Sequence, residues 1–60
     1  MEVFILLSGN EEEGYSVEGV YTTMVLARKA ARRRLKVEDE EWKIETWDVD
    51  GNCKAEEFLD

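Results

Sequence analysis

Among the side chains that could do chemistry, the run Asp48-Val49-Asp50-Gly51-Asn52 has the most suggestive spacing, with oxygen-bearing residues at alternate positions. These correspond to the first, third and fifth ligand positions of an EF-hand loop, where a hard cation such as calcium takes oxygen ligands. The match then fails. Cys53 stands where that loop requires glycine, Leu59 stands where it requires a bidentate glutamate, and Glu57 comes two residues early. An Asp-Gly hairpin turn accounts for the segment, and no metal or other cofactor is expected.

Nucleophilic and acid–base catalysis find as little to stand on. Cys53 is the only cysteine, and the chain has no histidine that could serve as its base,. It reads as a small packed residue or an inert surface thiol. Carboxylates are plentiful, but they lie in highly charged stretches where a raised carboxyl pKa is hard to arrange. No catalytic residues are predicted, and the chain is not expected to be an enzyme.

What remains is charge. Fifteen acidic and eight basic residues give a net charge of −7, which argues against general affinity for nucleic acid or anionic lipid. Six of the eight basic residues nevertheless fall between Arg28 and Lys36. Arg28, Lys29, Arg32, Arg33 and Lys36 would form a basic helix face, and arginine clusters grip phosphate well. No aromatic residues interleave with them, so a solvated face that neutralises the chain's own carboxylates is the favoured reading.

The elements that position these groups follow from apolar patterning. Val3 to Leu7 is an unbroken apolar run, read as a central strand covered on both faces,. Ser8 to Gly14 is a polar, glycine-bracketed hairpin tip, and Tyr15 to Tyr21 returns as an alternating strand. Gly19 within that strand suggests a bulge or a close backbone approach. Thr22 or Thr23 can cap the one long helix; with Thr22 as the cap, Tyr21 and Leu26 are placed for a hydrophobic staple. At about 100° per residue, Met24, Leu26, Ala27, Ala30, Ala31, Leu35 and Val37 share one side of that helix. Arg34 points into this apolar arc and is read as reaching past the sheet edge to a carboxylate. Trp42 to Val49 forms a third strand, with Trp42 and Ile44 assigned to the core. After the Asp50-Gly51 turn, Asn52 to Ala55 is read as a short final strand, and Glu56 to Asp60 as a tail.

The expected fold is α+β, in the order β-β-α-β with a short last strand. One helix packs on one face of a small antiparallel or mixed sheet of strand order 2-1-3. Residues 1–60 form a single domain, small enough to need a staple,. An internal disulfide is excluded by the single cysteine,, so a homodimer is expected to supply it. One sheet face is left without cover, and Phe4, Leu6 and Trp47 are assigned to that dimer or partner face. The hairpin tip and the loop after the helix should meet at one end of the sheet. Glu11, Glu12, Glu13, Glu38, Asp39, Glu40 and Glu41 would there make an acidic pole, suited to docking on a basic protein surface. The N-terminal apolar run is too short to span a membrane and lacks the basic start of an export signal. A cytoplasmic location is therefore expected, in a host cell if the chain is phage-encoded.

Gly19-Val20-Tyr21-Thr22-Thr23, followed by Leu26-Ala27 and Ala30, resembles the helix entry of small β-β-α-β domains found in phage and bacterial genomes. The strand from Ile44 to Asp50 fits the same pattern, whereas the basic helix departs from it. The resemblance implies a family of unknown function and carries over no catalytic residues. Small acidic chains of this kind resemble phage accessory proteins that bind and block a host protein. The implied function is a non-enzymatic homodimeric protein-binding module, an inhibitor of a bacterial antiviral defence protein. The alternatives are a nucleic-acid-associated regulator using the basic helix face and a structural or assembly subunit.

Overall fold

Four strands and one helix make up the computed structural model, which describes residues 1–34 and 40–59. In chain order these are β1 (Glu2–Asn10), β2 (Gly14–Tyr21), α1 (Met24–Arg34), β3 (Glu41–Asp48) and β4 (Cys53–Leu59). All neighbouring strands are antiparallel, and the sheet order is β2-β1-β3-β4. This corrects the expected three-stranded order of 2-1-3 with a vestigial fourth strand. The stretch read as a tail is the body of β4, and sheet rather than helix dominates the chain.

The reason lies in the cross-strand partners of β4. Taken alone, Cys-Lys-Ala-Glu-Glu-Phe-Leu has too few apolar residues to announce a strand. Beside β3 its charges are matched: Glu57 takes a charge-assisted pair from Arg28 at 2.6 Å, and Glu56 takes one from Lys43 at 3.3 Å. The β3–β4 connection is also longer than a two-residue turn. Gly51 N–H donates to the Asp48 carbonyl and Asp48 N–H to the Asn52 carbonyl, so Val49, Asp50 and Gly51 form a three-residue loop. Val49 N–H donates to the Met1 carbonyl, which ties the chain's first residue to this turn.

Strand β1 pairs on both sides, and its residue parity sets the two faces of the sheet. Leu6 lies opposite Ile44, Ser8 opposite Trp42 and Phe4 opposite Tyr21. These residues face α1, whose Ala27 and Ala31 are fully buried against Leu6, Trp42 and Ile44. Alanine has no side chain beyond Cβ, which lets the helix settle close to the sheet. Phe4, Tyr21, Met24, Ala30 and Leu59 close the margins of this core. The assignment of Phe4 and Leu6 to an uncovered face is therefore corrected: Leu6 is wholly buried under the helix and Phe4 packs beside it. A strand apolar on both faces gives no parity of its own, and the register with β3 decides it.

Thr23 is the helix cap, its Oγ1 accepting from Leu26 N–H at 3.2 Å,. The helix was expected to run on to Val37; its described part ends at Arg34, and Leu35, Lys36 and Val37 lie outside the described residues. Gly19 sits beside a β-bulge that inserts Glu18 between the Leu6 and Leu7 pairings. The Tyr21 ring lies over Gly19, where an added Cβ would come within 2.5 Å of the hydroxyl. Strand β1 also runs on through Ser8 to Asn10, so the hairpin tip is only Glu11–Glu13, fixed by Asn10 Oδ1 accepting from Glu13 N–H at 2.7 Å. The Cα envelope measures 33 × 25 × 15 Å, and the short axis accommodates one sheet and one helix layer. The second face of the sheet has no layer over it among the described residues.

Candidate functional site

The open face is built from the strand positions opposite in parity to the core. Read across the sheet, one row holds Val17, Leu7, Lys43 and Phe58, and the next holds Val20, Ile5, Glu45 and Glu56. Val3, Trp47 and Cys53 make a third row, and Tyr15, Gly9 and Glu41 the last. Val17, Val20 and Phe58 are 60%, 59% and 53% exposed, which is high for side chains this apolar on one contiguous surface,.

Long side chains of the face itself cover its centre. Lys43 Nζ lies 4.3 Å from the Tyr15 ring centroid and 5.6 Å from that of Phe58, a cation–π arrangement on both sides. Tyr15 and Lys43 start two strands apart, so their meeting shelters Leu7 between them, which is only 9% exposed. Lys43 Nζ also pairs with Glu45 at 3.0 Å, and Glu45 accepts from Trp47 Nε1–H at 2.9 Å. Burial pushes the Glu45 carboxyl up, but the Trp47 and Lys43 hydrogen bonds and the Lys43 charge outweigh it. The net result holds Glu45 below the usual carboxylate range. The same contact, with Glu45 first and Glu56 adding to it, raises the Lys43 ammonium above its ordinary value,. The network fixes Trp47 in place as a half-buried aromatic.

At one end of this face Tyr15 donates to Glu41 at 2.6 Å, across Gly9. That hydrogen bond, helped by the Glu41 and Glu11 charges, raises the Tyr15 phenol above its ordinary value. The exposed tip residues Glu11, Glu12 and Glu13 lie at this same end, as do Glu41 at the start of β3 and Glu40 just before it. The two remaining members of the expected acidic pole, Glu38 and Asp39, lie outside the described residues.

The basic helix face divides. Arg28 binds both oxygens of Glu57, and Arg34 reaches Glu18. Lys29, Arg32 and Arg33 are exposed and form no ion pair among the described residues; Lys36 lies outside them. Among the described residues the helix thus neutralises acids of its own chain on β4 and β2. Cys53 is exposed at the start of β4, its thiol 3.5 Å from the Ala55 carbonyl oxygen.

Of the residues assigned to a partner face from sequence, Trp47 belongs to the open face, and Phe4 and Leu6 do not. Lys43 and Glu45 were placed on the strand face of Trp47 but not assigned to a partner face, and Tyr15, Val17, Val20 and Phe58 were not singled out. For Lys43 and Glu45 the shared parity with Trp47 was readable, since the three alternate with Trp42, Ile44 and Thr46.

A family model described as a domain of unknown function, DUF7336, matches residues 1–58. The chain belongs to the DUF7336 family. This agrees with the resemblance to a family of unknown function, at that level. No curated protein and no solved structure matches this DUF7336 chain at a significant level. Among the described residues, no helix is long and apolar enough to cross a membrane.

Proposed function

We propose that this DUF7336 chain is a non-enzymatic, homodimeric protein-binding module. Two copies pack open face to open face, and the acidic pole engages a basic surface on another protein. The observation that carries this reading is the open sheet face itself. A sheet with a helix on one side leaves apolar surface that a second layer normally buries, and here that surface includes Val17, Val20, Phe58 and Trp47. A symmetric dimer is the simplest way for one gene product to supply that layer. The setting we propose is a phage or bacterial genome, with the chain acting in the cytoplasm as an inhibitor of an antiviral defence protein. Support for that setting is the helix-entry sequence Gly19–Thr23 and the small, acidic character of the chain.

Two measurements test it. Light scattering after size exclusion should give twice the monomer mass of 7.0 kDa. A tagged chain passed through a phage-susceptible bacterial lysate should retain one stoichiometric protein, and reversing Glu11, Glu12, Glu13, Glu40 and Glu41 to lysine should release it. A monomer at all concentrations overturns the dimer. Recovery of nucleic acid alone supports the basic-helix regulator instead.

A further inference from the structure

A second surface lies away from the open face, between α1 and Tyr21, the last residue of the edge strand β2. Tyr21, Leu26 and Ala30 floor a groove there of about 370 Å³, and Lys29, Arg33 and Arg34 rim it. Strand β2 forms one edge of the sheet, so one side of its backbone is not paired within the sheet. The sheet's two edges differ. Strand β4 bears three charged residues, Lys54, Glu56 and Glu57, of the kind that keep an edge from pairing with other chains, though each is also ion-paired within the chain,. Strand β2 carries only one charged residue, Glu18, and its carboxylate is turned in to Ser8 and Arg34. The edge with the fewer charges is the one beside the cationic groove.

We infer that the groove between α1 and β2 receives an extended acidic segment of a partner protein, which adds a strand alongside β2. Such a strand presents alternate residues to opposite faces. Its acidic side chains meet Lys29 and Arg33 on the helix side, and its apolar ones extend the open face beyond Val20 on the other. Arg34 already bonds the Glu18 carbonyl at the bulge, so the new ladder runs chiefly beside Gly19, Val20 and Tyr21. A second copy pairing β2 to β2 is disfavoured, because it would bring two sets of Lys29 and Arg33 together. A nucleic acid would use the cations but not the strand edge.

The test uses the whole chain and a labelled peptide of alternating glutamate and valine, as long as β2 at eight residues. Fluorescence anisotropy should show binding that weakens with added salt. It should fall at least about tenfold in the Lys29→Glu/Arg33→Glu variant, where attraction becomes repulsion. Amide shifts should concentrate in β2 and α1. Circular dichroism checks that the exposed substitutions leave the fold intact. The proposal is overturned by equal binding of a lysine–valine peptide, by no binding, or by an unchanged affinity in the variant. Tighter binding of single-stranded oligothymidylate would assign the groove to nucleic acid. Concentration-dependent β2 shifts without peptide would assign it to a second copy.

Discussion

Arg34, in the last described turn of α1, reaches Glu18 in the bulge of β2, with Nη1 3.2 Å from its carbonyl oxygen and 3.3 Å from Oε1. The other carboxylate oxygen accepts from Ser8 Oγ at 2.8 Å. Helix end, edge strand and central strand are thereby joined through one side chain. The two contacts differ in worth, because Ser8 is buried while the Arg34 side chain is 44% exposed. Glu18→Ala strands a buried hydroxyl and should cost about 1–3 kcal/mol. Arg34→Ala removes an exposed pair and should cost about 0.2–1 kcal/mol. Urea unfolding of the two variants decides it, and a larger loss for Arg34→Ala would show that the bulge depends on the arginine instead.

Gly9 should be the least replaceable glycine. It adopts φ +150°, and a Cβ placed there would overlap the Gly14 carbonyl oxygen across the hairpin, a backbone atom that no rotamer change can move. Overpacking against rigid neighbours costs about 1–3 kcal/mol, and Gly9→Ala should lie at or above the top of that range. The Tyr15–Glu41 hydrogen bond spans the same position, so its loss should accompany the destabilisation. Thermal unfolding with tyrosine fluorescence reads both, and a variant as stable as the parent would contradict the close approach.

The Lys43–Glu45 pair should give the open face a pH signature. Glu45 is held below its ordinary pKa, so its contribution is complete above the unfolded carboxyl value, about 4.3. That contribution disappears as pH falls through the lower folded value,. Lys43 is raised, so its contribution is complete below about 10.4 and disappears as pH rises through the higher folded value,. Tyr15, also raised, adds to the alkaline limb with the same sign. Glu45→Gln keeps an acceptor for Trp47 but removes the charge. It should lower stability at neutral pH and flatten the acid limb of a urea-midpoint profile. An unchanged acid limb would place the titrating carboxylates elsewhere.

These features were unevenly legible in the sequence. The unbroken run Val3 to Leu7 marked a strand with neighbours on both sides, and Trp42 with Ile44 marked the strand side that meets the helix. Arg34 stood out as a cation in an apolar arc, and its reach to an edge-strand carboxylate follows from that misplacement. Two things needed the third dimension. Strand β4 draws its order from partners on β3 and α1, which its own composition does not reveal. Phe4 and Leu6 carry the same apolar character as Val3, Ile5 and Leu7, so only the pairing of Leu6 with Ile44 assigns them to the core. The bulge at Glu18 reverses residue parity within β2. For that reason Val17 and Val20, an odd number of positions apart, share the open face.

That shared face supplies the sharpest test of self-association. Trp47 is held by Glu45 and lies between Val3 and Cys53 on neighbouring strands, while Val20 stands 59% exposed in the adjoining row. Buried aromatic anchors commonly carry a large share of interface energy, and each costs more than about 1 kcal/mol when truncated. Trp47→Ala should therefore raise the dimer dissociation constant by at least about fivefold. It also frees Glu45, so some loss of monomer stability is expected with it. Val20→Asp separates the two effects. An exposed strand position tolerates the change within the monomer, whereas in a packed dimer it places an unpaired carboxylate against apolar surface. Sedimentation equilibrium should show Val20→Asp monomeric at concentrations where the parent is dimeric, with an unchanged circular dichroism spectrum. If both variants keep the parent's mass, copies of this chain do not meet through the open face.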